Sequence, residues 1–184
     1  NIAIGLNALN STGADSDNNI GIGVNALTAI TTGDGNTSIG YQAGKSLTTS
    51  GDNLAIGYKA LENATTAAHQ NIAIGSLSMD GAWSTADVDN CVVVGYGAMR
   101  GVLTNTASGT TAIGASALAA LTSGDENVAI GYESMSEATE GAKNTVVGYQ
   151  AMKLCNTLVN IENTFMGYTA GGGDWATNGV TTKN

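Results

Sequence analysis

Ten glycines recur along this chain at intervals of 17 to 20 residues: Gly5, Gly23, Gly40, Gly57, Gly75, Gly95, Gly114, Gly131, Gly148 and Gly167. A fixed period of this size is the signature of a solenoid, in which each repeat is one coil that buries its apolar face only by stacking on its neighbours. Counting each glycine as zero exposes further columns. Position −1 is Ile4, Ile22, Ile39, Ile56, Ile74, Val94, Ile113, Ile130, Val147 and Met166. Position −4 is Asn except at Cys91 and Thr110, position +3 is always Ala or Ser, and +4 is Leu or Met except at Gly44 and Gly171. All six tyrosines, Tyr41, Tyr58, Tyr96, Tyr132, Tyr149 and Tyr168, stand at +1.

These columns describe one coil. A run such as Asn53-Leu54-Ala55-Ile56 alternates its larger aliphatic residues, the period of a half-buried strand. The glycine ends it at a sharp bend or a close backbone contact. The +8 and +9 positions are usually Thr or Ser, as in Thr31-Thr32 and Thr48-Thr49, and read as a second short strand. Turns such as Gly33-Asp34-Gly35-Asn36 lead back. The expectation is an all-β parallel solenoid of ten coils, advancing about 4.8 Å per coil into a rod of roughly 45–50 Å. The −1 column, together with +7 (Ile30, Leu47, Ala64, Leu121 and their equivalents), is expected to form the core. Ser116–Leu121 has helical propensity, but the equivalent Gln42–Leu47 does not, so at most one helical turn is expected there. Residues 1–171 read as one repeat domain, and 172–184 as a cap or a linker to a further region.

Composition adds bounds. Leu, Ile, Val and Phe number 36 of 184 residues and the net charge is −9, values near the disorder boundary unless the apolar residues fall in columns, as they do here. A rod with about three inward side chains per coil has little core of its own. Association that covers the strand face is the remedy, most simply a parallel cyclic trimer or dimer. No run of 18 apolar residues occurs, so no membrane insertion is expected in this segment. Opening on the motif itself, at Asn1–Gly5, the chain reads as an excerpt of something longer. Six Lys or Arg against fifteen Asp or Glu argue against nucleic acid as a partner. Cys91 and Cys155 lie three coils apart, about 14 Å at 4.8 Å per coil, too far for a disulfide.

The motif Asn-x-Ala-Ile-Gly-x-x-Ala/Ser resembles the head repeats of trimeric autotransporter adhesins. The fuller form Asn-x-Ala-Ile-Gly-Tyr-x-Ala-Leu, as in Asn53–Leu61 and with Ser-Met at its end in Asn127–Met135, is similar to repeats of bacteriophage tail-fibre proteins. The resemblance covers residues 1 to about 171. It implies a left-handed parallel β-roll with three chains side by side. These repeats are longer than the adhesin form, so their outer loops should protrude more, and the tyrosine after the glycine favours the phage-like version.

Catalytic patterns are lacking. The single histidine, His69, sits in a turn with no partner pattern, and no nucleophile elbow, zinc-protease or phosphate-loop motif occurs. Gly171-Gly172-Gly173 lacks the strand–helix context of a nucleotide site. The acidic turns Asp15-Ser16-Asp17-Asn18 and Asp87-Val88-Asp89-Asn90 offer oxygen ligands but match no complete calcium loop, and ordinary Asx turns explain them. No catalytic residue, metal or cofactor is therefore expected. The tyrosines read as a stacked structural ladder, with an exposed sugar-binding stripe as the rival. Trp83, in the longest segment between motifs, is the candidate receptor contact, with Asp87 and Asp89 beside it.

The function expected is a structural shaft or fibre of a viral tail, located in the virion. Its partners are copies of itself, neighbouring fibre segments, and a host-surface glycan or protein. A cell-surface adhesin head is the alternative. A hexapeptide-type acyltransferase is remote, because its motif would appear once per coil instead of three times. An ice-binding solenoid is also remote, because Trp83 and Glu140 interrupt any flat threonine array.

Overall fold

A computed structural model describes residues 1–172 except 12, 14, 66–67, 83–86, 105 and 155–159. The chain is all-β. Its strands in chain order are β1 (Ile2–Ile4), β2 (Ile20–Ile22), β3 (Thr37–Ile39), β4 (Leu54–Ile56), β5 (Ile72–Ile74) and β6 (Val92–Val94). Then come β7 (Thr111–Ile113), β8 (Val128–Ile130), β9 (Gly141–Ala142), β10 (Thr145–Val147), β11 (Asn160–Ile161) and β12 (Thr164–Met166). Ten of these form one parallel sheet in the order β1-β2-β3-β4-β5-β6-β7-β8-β10-β12, each strand beside the next coil's. The register never slips: Leu54 pairs with Ile72, Ala55 with Ala73 and Ile56 with Ile74, and every other neighbouring pair repeats this alignment. This is the parallel β-solenoid. The chain contains no proline, and the coil-to-coil ladder spends a backbone N–H at nearly every step.

The strand faces are the reverse of the expected ones. Position −2, a small residue, points inward: Ser38, Ala55, Ala73, Val93, Ala112, Ala129 and Val146 are buried. The −1 column points out. Ile4, Ile39, Ile113, Ile130 and Met166 are exposed, and Ile22, Ile56, Ile74, Val94 and Val147 are only half-buried. The core of the single chain is built instead from the +4 column, Leu27, Leu61, Met79, Met99, Leu118, Met135 and Met152, all at most 1% exposed, with the alanines at −2 and +3. Directly opposite the strand each coil has room for one long side chain, beside the +7 residue where that is also inward. Where +4 carries it, −2 must be small. The final coil inverts the arrangement: Phe165 stands at −2, and a Cβ on Gly171 at +4 would lie 2.8 Å from its ring.

The +7 column is inward at Ile30, Leu47, Ala64, Leu121 and Ala138, but Ala82 and Val102 are exposed. The threonine side forms no continuous strand. It is a ladder in which Thr31, Thr48 and Thr122 donate both N–H and hydroxyl to the carbonyl of the next coil's threonine. Among the described residues, regular pairing there is limited to β9 with β11, two residues each, a bridge between Ser123 and Glu140, and a bridge at Ala64. The Ser116–Leu121 segment is a turn, not a helix.

Backbone geometry explains two columns. Each motif glycine sits at φ between +129 and +147, and a Cβ on Gly57 would fall 2.5 Å from the carbonyl oxygen of Gly75. Only hydrogen fits between the two backbones. Position +4 is left-handed in each repeat, from Leu9 (φ 51) to Met152 (φ 50). Leu and Met, unbranched at Cβ, tolerate that conformation better than Ile or Val, which never occupy the column.

Candidate functional site

A buried asparagine ladder runs beside the sheet. Asn36 donates its backbone N–H (2.9 Å) and its amide (3.1 Å) to Oδ1 of Asn19, and donates the amide again to the carbonyl of Ser50 (2.9 Å). Asn53, Asn71, Asn144 and Asn163 repeat the first two bonds to the asparagine of the coil before. The amide bonds along the axis and has no free valence for a ligand. At Cys91 the thiol stands in, donating to the carbonyl of Ala107 at 3.2 Å, and burial pushes its pKa up to about 11. Cys91 is thus a closed structural thiol. Cys155 lies outside the described residues.

The outer turn carries a second ladder. His69 Nδ1 accepts from the N–H of Gly51 (3.1 Å), which places its ring proton on Nε2, and Asp89 Oδ1 accepts from the N–H of His69 (2.7 Å). Asp34 caps Asp17 and Asp125 caps Ser108 in the same way. Asp89 therefore has a backbone-capping role, while exposed Asp87 contributes its carbonyl to Ser108. Trp83 lies outside the described residues. Among the described residues no group of three or more His, Cys, Asp or Glu is placed to hold a metal ion, and no helix is long and apolar enough to cross a membrane.

Three surface features remain. The first is the outward strand face, where the −1 column is apolar throughout and the −3 column is apolar except at Thr37, Thr111, Thr145 and Thr164; Ile20/Ile22, Leu54/Ile56, Ile72/Ile74, Val92/Val94 and Val128/Ile130 are fully apolar pairs. The second is the tyrosine column at its margin. Tyr41 stacks on Tyr58 at 5.4 Å, Tyr132 on Tyr149 at 5.3 Å, and Tyr149 on Tyr168 at 5.2 Å, all within 14° of parallel. Stacked rings cover one another's faces and offer edges to solvent, so these runs are structural. The column is broken at Ser76 and Ala115, which leaves Tyr96 alone and 56% exposed.

The third is a charged column at +5: Lys45, Glu62, Asp80 and Arg100 on successive coils. Glu62 is nearly buried between Lys59 (3.1 Å) and Lys45 (3.6 Å). Burial, and then the neighbouring Glu62 carboxylate, push Asp80 up to about 6. A smaller cluster sits by the second tyrosine run, where hydrogen bonds from Lys153 and Gln150 hold Glu133 below the usual carboxylate range. The sequence reading missed the +5 column, whose two acids flanked by two bases were visible at the repeat's own spacing.

Comparison with known proteins adds nothing to this geometry: no family model, no curated protein and no solved structure matches the chain.

Proposed function

We propose that this chain is a shaft segment of a fibre, of the viral tail-fibre type, built from three parallel copies joined along their strand faces. The observation that carries this reading is the outward placement of the −1 and −3 columns. Single exposed aliphatics are ordinary on a protein surface, but a −1 column that is Ile or Val in nine successive coils, beside a −3 column that is Ile, Leu or Val in six of ten and Thr in the rest, is the mark of a covered face. The sheet is straight in register and offers the same pair of positions on each coil, so a parallel copy meets it at every level. Identical chains related by a rotation about the rod axis satisfy this with closed symmetry. The repeat motif, by its likeness to tail-fibre and adhesin repeats, supports the fibre reading. Neighbouring fibre segments would be the axial partners, and a host-surface glycan or protein the outer one.

Light scattering on the purified chain tests it. The expected mass is about three times 18.3 kDa, and a stable monomer at micromolar concentration overturns the assembly.

A further inference from the structure

Within this fibre reading, we infer that the gap in the tyrosine ladder at Ser76 is a binding slot for a single pyranose ring of a surface glycan. Backbone hydrogen bonds carry the +1 column unbroken through this level: Leu77 N–H donates to the Tyr58 carbonyl (2.9 Å) and Gly97 N–H to that of Ser76 (3.0 Å). Tyr58 and Tyr96 are therefore two rungs apart, and each rung of the ladder is 5.2–5.4 Å where rings are present. The space over Ser76 is one missing ring. A ring entering there stacks on Tyr58 from one side and Tyr96 from the other, and both are about half exposed.

The rim decides which ring. Lys59 holds its ammonium 5.7 Å from the centre of the Tyr58 ring. Asp80, one coil on, is steadied by the Asn63 amide, which donates to its carbonyl (2.7 Å) and its Oδ1 (3.3 Å). Arg100, one coil further, lies along Gly97, where a Cβ would stand 3.3 Å from its Cδ, and its charge acts on Asp80. Donors and acceptors of both signs at the edge of an apolar slot match the hydroxyls around a sugar and not the bare edge of an aromatic side chain. The gap at Ala115 shares Arg100 at one edge but has Ala119 in place of Asp80 on its own coil, so it lacks the same pairing of acceptor and donor. A second copy does not fill the slot either: parallel chains in register lack the same rung at the same height.

An array of immobilised neutral and uronate-bearing oligosaccharides, probed with the full chain, tests this. Wild type is expected to bind at least one class. Ser76→Tyr supplies the missing rung and should leave the fold intact while reducing binding at least tenfold, and Tyr96→Ala, which removes one wall, should do the same. Binding by Ser76→Tyr equal to wild type, or no binding by wild type to either class, overturns the slot. Mass measured on the same samples separates the two readings, because a trimer that binds no sugar removes only the slot, whereas a monomer removes the fibre.

Discussion

At the scale of single residues, the interior tolerates very little. Cys91 occupies an asparagine rung without an oxygen acceptor to pass to the next coil. Cys91→Asn is expected to restore the ladder and raise stability by about 1 kcal/mol, the worth of an intramolecular hydrogen bond, read as a higher midpoint in urea. A midpoint at or below wild type would show that the thiol rung is already as good as the amide. Ser38 offers a parallel case. Its hydroxyl is buried with no partner among the described residues, in a column otherwise largely alanine. Ser38→Ala should be neutral or stabilising by up to about 1 kcal/mol. Asp80 sets a pH dependence. Its folded pKa, about 6, lies above the reference 3.8, so the folded chain holds the proton more tightly. Stability from this group is fully present below the lower value and is lost as pH rises through the upper one. Thermal melts across that window should show the slope, and Asp80→Asn should remove it. An unchanged slope in the variant would assign the effect to other carboxylates.

At the scale of one coil, the two faces of a strand are expected to answer differently to mutation. Ala129→Leu forces a long side chain into a slot already filled by the +4 column, at a cost of about 1–3 kcal/mol. Ile56→Asp, on the outward face, should change the stability of the isolated fold by no more than about 1 kcal/mol yet abolish assembly, leaving a folded monomer with an unaltered β-sheet spectrum. Loss of the fold in Ile56→Asp would return that column to the core. The repeat period, the parallel stacking and the glycine and asparagine columns were all legible in the sequence, because each answers to a steric or hydrogen-bonding need that only one or two residue types meet. The facing of the strand was not. Hydrophobic alternation marks which residues share a face, and Leu54 and Ile56 do, but it is silent on whether that face is covered by the chain itself or by a neighbour. The decisive hint was the +4 column: Leu or Met in eight of ten coils, Gly in the other two and never β-branched, it signals a buried left-handed position, and a large −1 residue cannot share the space that +4 fills opposite the strand. The tyrosine ladder was legible as a period, but the meaning of its gaps needed the measured stacking.

On the scale of the whole molecule, each coil touches only the coils before and after it, so stability is a sum over neighbouring contacts and not a property of one centre. Most backbone hydrogen bonds run from coil to coil, parallel to the long axis, and the rest close turns within a coil. Tension applied along that axis therefore loads the coil junctions in series, and the chain is only as strong as its weakest junction. The asparagine ladder is interrupted between Cys91 and Asn127, where the Cys91 thiol and the Thr110 hydroxyl stand in for the amide. A single chain pulled from its ends should unzip there first, coil by coil and at low force. Copies bound side by side share the load across each junction, so the lateral apolar face that leaves the lone chain sparingly packed is also what would let such a shaft carry a pull.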